Sequence, residues 1–107
     1  MIDLSNNINL RSLDGCPDSA VALNLAGCKS LKDLRYIPQR ISFYLNLSNC
    51  KGLKNIDDVN FNKEIDIYIG GCNNLVLDGK KLTKISEDEL KSLGATYKVN
   101  FLNFIKP

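Results

Sequence analysis

The chain has 107 residues, of which 44% are hydrophobic and 24% charged, and its formal net charge is +2. That length fits one domain, the plentiful Leu, Ile, Val and Phe exclude a disordered chain, and the small net charge does not demand nucleic acid or an acidic membrane surface. Histidine is absent, which removes Ser-His and Cys-His nucleophile pairs, the common metal ligand and the usual general base at neutral pH.

The N-terminus, MIDLSNNINLRSLDG, has no basic start, no apolar run of signal-peptide length and no small-residue cleavage site. No window approaches the roughly 20 apolar residues that span a bilayer. The expected compartment is the cytoplasm, with the four cysteines reduced; Asn46-Leu47-Ser48 then matches a glycosylation sequon by coincidence.

The first predicted strand carries Ile2 and Leu4, followed by Asn6-Asn7, Leu10 and Leu13. The same set returns 21 residues later as Leu23, Leu25, Gly27-Cys28, Leu31 and Leu34. Three segments alternate strictly: Val21, Leu23, Leu25; Phe43, Leu45, Leu47; Ile65, Ile67, Ile69. Period two predicts strands with these residues facing inward. Cys28, Cys50 and Cys72 follow them at intervals of 22 residues, with Leu31, Leu53 and Leu75 three residues further on. Before the cysteines stand Gly27, Asn49 and Gly71, the residue types that most readily adopt positive φ. Each strand is therefore expected to end in the same tight turn, with the cysteine inside as a small apolar plug. Beyond the last repeat, Ser86 to Glu89 reads as a capping box, Leu90 and Leu93 as an apolar helix stripe, and Gly94 as the helix stop. Tyr97, Val99 and Phe101 predict a final strand.

This pattern resembles the cysteine-bearing leucine-rich repeats, LxLxxCxxLxxL, of bacterial and bacteriophage proteins and plant immune receptors. Ile37-Pro38 after Leu34 and Cys16-Pro17 after Leu13 follow the usual continuation, while Val59-Asn60 lacks the proline. The resemblance covers residues 1–78. It implies an α/β-type solenoid: a right-handed coil with a short parallel β-sheet and an irregular convex side. The repeats would span 1–20, 21–42, 43–64 and 65–78 of a single domain, closed by a helix-plus-strand cap over 79–107. It further implies a protein-binding module, an inhibitor or adaptor that occludes a partner. The abundance of Asn, Lys and Ile, whose codons are AT-rich, points to a low-GC bacterial or viral genome, and with the phage-like repeat to a phage-encoded, host-directed protein, which if viral would act in the host cytoplasm.

Catalytic and metal chemistry find little footing. The cysteine spacings are 12, 22 and 22 with no CxxC, so no metal, cofactor or catalytic group is expected. Cys16 aligns with Ile37 and reads as a buried filler rather than a reactive thiol. Gly27-Cys28-Lys29-Ser30 and Gly79-Lys80-Lys81 echo pieces of a phosphate loop without its upstream glycine. Asp57-Asp58 falls in a between-repeat loop, and Glu87-Asp88-Glu89 at a helix start, where acidic residues favour the dipole.

Two surfaces compete for a partner. Residues alternating with the inward set face out on the sheet, and Asn24, Tyr44, Asn46, Asp66, Tyr68 and Lys98 form the expected binding patch. Tyrosine among polar groups is typical of binding hot spots, although tyrosine is also simply a good strand former. Arg11, Lys32 and Lys54 recur at one repeat position, and Lys29 and Lys51 at another. Stacked, they form a basic stripe suited to nucleic acid or an acidic protein, or a solvated rim diluted by Asp33, Asp57 and Asp58. The strand edge at Ile2 to Leu4 is a third candidate, for self-association or docking.

Overall fold

Each alternating segment forms a strand, and the strands pair in the order in which the chain makes them. In the computed structural model, which describes residues 1–61 and 64–103, one sheet contains β1 (Ile2–Asp3), β2 (Ser19–Asn24), β3 (Arg40–Asn46), β4 (Asp66–Tyr68) and β7 (Asn100–Leu102). Their order is β1-β2-β3-β4-β7 and every pair is parallel. With the helix α1 (Glu87–Tyr97) they make a small α/β domain. The repeat expected over 43–64 and the cap expected over 79–107 each extend onto residues outside those described.

The inward set packs as one layer: Leu23, Leu25, Leu45, Leu47, Ile67 and Ile69 are all fully buried, and Cys28, Cys50 and Cys72 with them. After the strands the backbone makes the same bonds at the sequence interval. The N–H groups of Cys28, Cys50 and Cys72 donate to the carbonyls of Leu25, Leu47 and Ile69. Those of Leu31, Leu53 and Leu75 donate to the cysteine carbonyls.

The turn residues have the left-handed conformation read from the sequence: φ is 58° at Asn6, 77° at Gly27, 60° at Asn49 and 80° at Gly71. Their alternation has a steric cause. A Cβ placed on Gly27 would run into the side-chain oxygen of Asn6, and one on Gly71 into that of Asn49. The asparagine amide of one turn thus occupies the space above the next turn, which only glycine leaves open.

Two inward expectations fail. Val21 and Phe43 are 61% and 65% exposed and stand outside the core. Ala20 lies opposite Ile41, but Ala22 lies opposite Tyr44, so Val21 alone faces both Ser42 and Phe43. This bulge breaks the alternation, and the core at that level takes Ile41 instead.

The C-terminal region departs from expectation in three ways. First, the helix runs through Gly94 to Tyr97, and Lys98 closes it with φ 61°. Lys98 N–H donates to Ala95 O at 3.3 Å and Val99 N–H to Gly94 O at 2.9 Å, the paired bonds of a Schellman motif. Gly94 is small because a Cβ there would lie 2.8 Å from the Val99 carbonyl. Second, the last strand begins only at Asn100, so Tyr97 is helical and Lys98 is a helix cap rather than a strand residue. Third, β5 (Val76–Leu77) and β6 (Lys80–Lys81) form an antiparallel hairpin that the sequence reading missed. Asp78-Gly79, at φ 51° and 79°, is the two-residue signal that marks such a turn. The capping box is formed: Glu89 N–H donates to Ser86 Oγ at 3.1 Å and Ser86 N–H to Glu89 Oε1 at 3.4 Å. No helix among the described residues is long and apolar enough to cross a membrane.

Gly71→Val is expected to cost about 2 kcal/mol or more, because it combines a left-handed β-branched residue with a collision against Asn49. In a double-mutant cycle, Asn49→Gly with Gly71→Ala should lose less stability than the two single changes added together. Strict additivity in urea unfolding would show that the asparagine amide does not crowd the glycine.

Candidate binding face

The strand register sets the residues of the sheet's polar face in rows. Asn24, Asn46 and Tyr68 are direct neighbours across β2, β3 and β4; Tyr44, Asp66 and Asn100 are neighbours across β3, β4 and β7. Asn24, Tyr44, Asn46, Asp66 and Tyr68 line one groove, together with Ser5, Asn6, Ala26 and Phe43. Five of the six residues expected in the patch are therefore brought together. Lys98 is not among them: it lines an adjacent hollow with Phe61, Lys91 and Gly94, which shares Asp66 with the groove. Phe43 was missed because strict alternation places it inside; the bulge turns it out.

The groove is tighter than a solvated sheet face. Tyr68 is 8% exposed and Asn46 7%. The Tyr44 and Tyr68 rings meet edge to face, 6.1 Å apart at 79°, and Phe43 packs beside Tyr44 at 5.9 Å. The Tyr44 hydroxyl donates to Met1 Sδ at 2.8 Å. Asn100 Nδ2 donates to Asp66 Oδ1 at 3.0 Å, which fixes one carboxylate oxygen.

At the strand ends, equivalent side chains are already employed. The Oδ1 atoms of Asp3, Asn24 and Asn46 accept the N–H groups of Ser5, Ala26 and Ser48 at 2.9–3.1 Å, each holding the chain as it leaves its strand. Asn24 and Asn46 are thus structural through Oδ1, and neither Nδ2 has a hydrogen-bond acceptor among the described residues. Ser48 Oγ, next in line, is buried without a hydrogen-bond partner among the described residues.

The basic residues also neighbour one another. Lys54 N–H donates to Lys32 O at 3.2 Å, so these two lie side by side, and Lys51 O accepts Asn74 Nδ2 at 2.7 Å. Arg11, Lys29, Lys32, Lys51 and Lys54 are exposed, and among the described residues none is within ion-pair distance of a carboxylate. Asp33 turns to Arg35 at 3.5 Å.

The thiols face carbonyls. Cys28, Cys50 and Cys72 donate through Sγ to the backbone oxygens of Leu4, Leu25 and Leu47 at 3.2, 3.0 and 2.9 Å. Burial pushes Cys50 up from the ordinary 9.0 to about 12 and Cys72 to about 11; it also raises Cys28 and the half-buried Cys16. These groups stay protonated and are poor nucleophiles at neutral pH. Among the described residues no three Cys, Asp or Glu side chains assemble as a metal site. Comparison with protein-family models, with curated proteins and with solved structures finds no match for the chain.

The raised thiols carry a stability consequence with a definite sign. Below pH 9 both states are protonated there and nothing changes. Between pH 9 and about 11–12 the unfolded chain ionises while the folded one holds its protons, so stability falls by up to about 1.4 kcal/mol per pH unit for each thiol. Urea midpoints should drop between pH 8 and pH 10, and Cys50→Ala should reduce that drop while costing about 1–3 kcal/mol at pH 7. Fast native alkylation of Cys50 or Cys72 at pH 7 would contradict their burial.

Proposed function

We propose that the protein is a short leucine-rich-repeat solenoid whose sheet face binds and occludes another protein, as an inhibitor or adaptor and not as an enzyme. The observation that carries this reading is the groove itself. Three parallel strands hold Tyr44, Tyr68, Asp66, Asn24 and Asn46 around one concavity. Side chains fixed on paired strands lose little freedom on binding, and packed tyrosines beside a carboxylate and two amides combine contact area with hydrogen-bonding specificity. Phe43 extends the apolar surface at the rim. The recurrence of turn, thiol and strand at the sequence interval supports the solenoid. A phage-encoded, host-directed inhibitor remains the source that sequence pattern and composition favour.

A second reading rests on the unpaired basic residues. Adjacent Lys32 and Lys54, with Arg11, Lys29 and Lys51, form a surface that would contact nucleic-acid phosphates, and such binding falls steeply with salt.

Tyr44→Ala and the pair Lys32→Glu/Lys54→Glu separate the two readings. Tyr44 is the better aromatic to remove, because Tyr68 is nearly buried and its loss would weaken the fold. With thermal melts matched, Tyr44→Ala should weaken capture of a protein partner from host lysate by roughly 2 kcal/mol, while the lysine pair leaves it intact. Loss of binding with the lysine pair alone, alongside salt-sensitive binding of DNA or RNA, would place the function on the basic residues.

A further inference from the structure

We infer that the groove receives an arginine side chain of its partner, presented on an extended peptide segment. This inference rests on the protein-binding reading and names its chemistry.

Charge gives the first argument. The protein is net +2, yet the groove lining has one carboxylate, Asp66, and no cation. Asp66 Oδ1 is held by Asn100 Nδ2 at 3.0 Å, which orients the carboxylate, and among the described residues no cation pairs with it. A fixed carboxylate with a free second oxygen suits a planar guanidinium.

Aromatic geometry gives the second. Tyr44 and Tyr68 stand edge to face, 6.1 Å apart, so their planes are not stacked on each other. Asp66 lies beside Tyr44 across the strand pair, so a guanidinium engaging it would come close to the Tyr44 ring, and arginine is the cation that most favours contact with an aromatic ring.

The amides of the groove add recognition that does not depend on charge. Asn46 lines the groove at 7% exposure. Its Oδ1 is taken by Ser48 N–H, but its Nδ2 finds no acceptor among the described residues and, unlike Ser48 Oγ, is not sealed from solvent. Asn24, its neighbour on β2, has the same arrangement. Two amides on adjacent strands offer donors to backbone carbonyls of a bound segment. They leave the arginine side chain to reach Asp66.

The test is an NMR titration of the full chain with the capped peptide Ser-Gly-Arg-Gly-Ser, and with the same peptide carrying citrulline, an uncharged isostere, in place of arginine. The expected result is saturable amide shifts centred on Asn24, Tyr44, Asn46, Asp66 and Tyr68. Citrulline should bind about tenfold more weakly, the usual worth of a charge-assisted hydrogen bond. Asp66→Asn, which keeps the shape and leaves the fold intact by melt, should lose the same factor for arginine and erase the difference between the two peptides. Equal binding of both peptides to the native chain, shifts confined to other surfaces, or no saturable shift overturns the proposal. The two readings fail separately. If the arginine peptide leaves the groove unmoved while Tyr44→Ala still abolishes partner capture, the arginine assignment falls and the docking face stands. If the groove takes arginine in the expected way but capture is indifferent to Tyr44→Ala, the protein-occlusion reading falls and the arginine subsite stands.

Discussion

The bond from a cysteine thiol to the carbonyl of the neighbouring segment is the contact around which the rest is arranged. Leu25 O receives Cys28 N–H at 3.1 Å from its own turn and Cys50 Sγ at 3.0 Å from the next segment; Leu47 O receives Cys50 N–H at 3.0 Å and Cys72 Sγ at 2.9 Å. Both acceptor directions of a buried carbonyl are thereby used, where an unpaired one would be costly. The position must be small enough to lie under a turn, apolar enough to be fully buried, and able to donate. Cysteine meets all three demands. Alanine cannot donate, and larger apolar residues would push adjacent turns apart.

Once the turns are held at that spacing, the space above each is set. The asparagine amides at Asn6 and Asn49 then crowd the glycines at 27 and 71, and the strands leave those turns in register. Register in turn aligns the polar face, because a parallel pair shifted by one residue would exchange core and surface. The groove is therefore a consequence of the same stacking that buries the thiols. Its asparagines belong to both systems: Oδ1 ends the strand while the residue lines the groove. A change at Asn46 that affects binding would have to be separated from its effect on the turn, whereas Tyr44 and Asp66 carry less of the fold.

Much of this was legible in the sequence because it repeats. Alternation located three strands of the main sheet and the neighbourhood of the last, the repeat located the first, the Gly and Asn positions announced positive φ, and Ser86 with Glu89 marked the helix start. What was not legible came from features that period and propensity do not encode. Val21 and Phe43 have the right parity for the core, but parity fails across a bulge, and one extra residue in β3 is visible only once β2 is beside it. Gly94 looked like a helix stop; its smallness instead admits the returning Val99 carbonyl, a contact between residues the helix has not yet brought together. Lys98 was misplaced for the same reason, since the helix ran one turn further than its glycine implied. The Asp78-Gly79 hairpin does carry a local signal, a two-residue pair suited to positive φ between Leu77 and Lys80. In the site, the reading found side chains but not their crowding: nothing in alternation tells that Tyr68 and Asn46 would be nearly buried on the face assigned to solvent.

That crowding bears on how the face can work. A flat, solvated row of tyrosines would have to order its side chains when a partner arrived. Here Tyr68 is already packed against Tyr44, Tyr44 is held by Phe43 and Met1, and Asp66 is fixed by Asn100. Much of the ordering is complete before binding, so less of the contact energy is spent on it. The basic residues differ: Lys29, Lys32, Lys51 and Lys54 are long, exposed and without an ion-pair partner among the described residues, and would surrender side-chain freedom for each contact. Their field can attract an acidic partner or repel a basic one at longer range, so a partner inserting arginine into the groove would favour an orientation that keeps its remaining positive charge away from them. On the proposed reading, the preorganised groove would set the specific contact and the exposed cations would bias the approach to it.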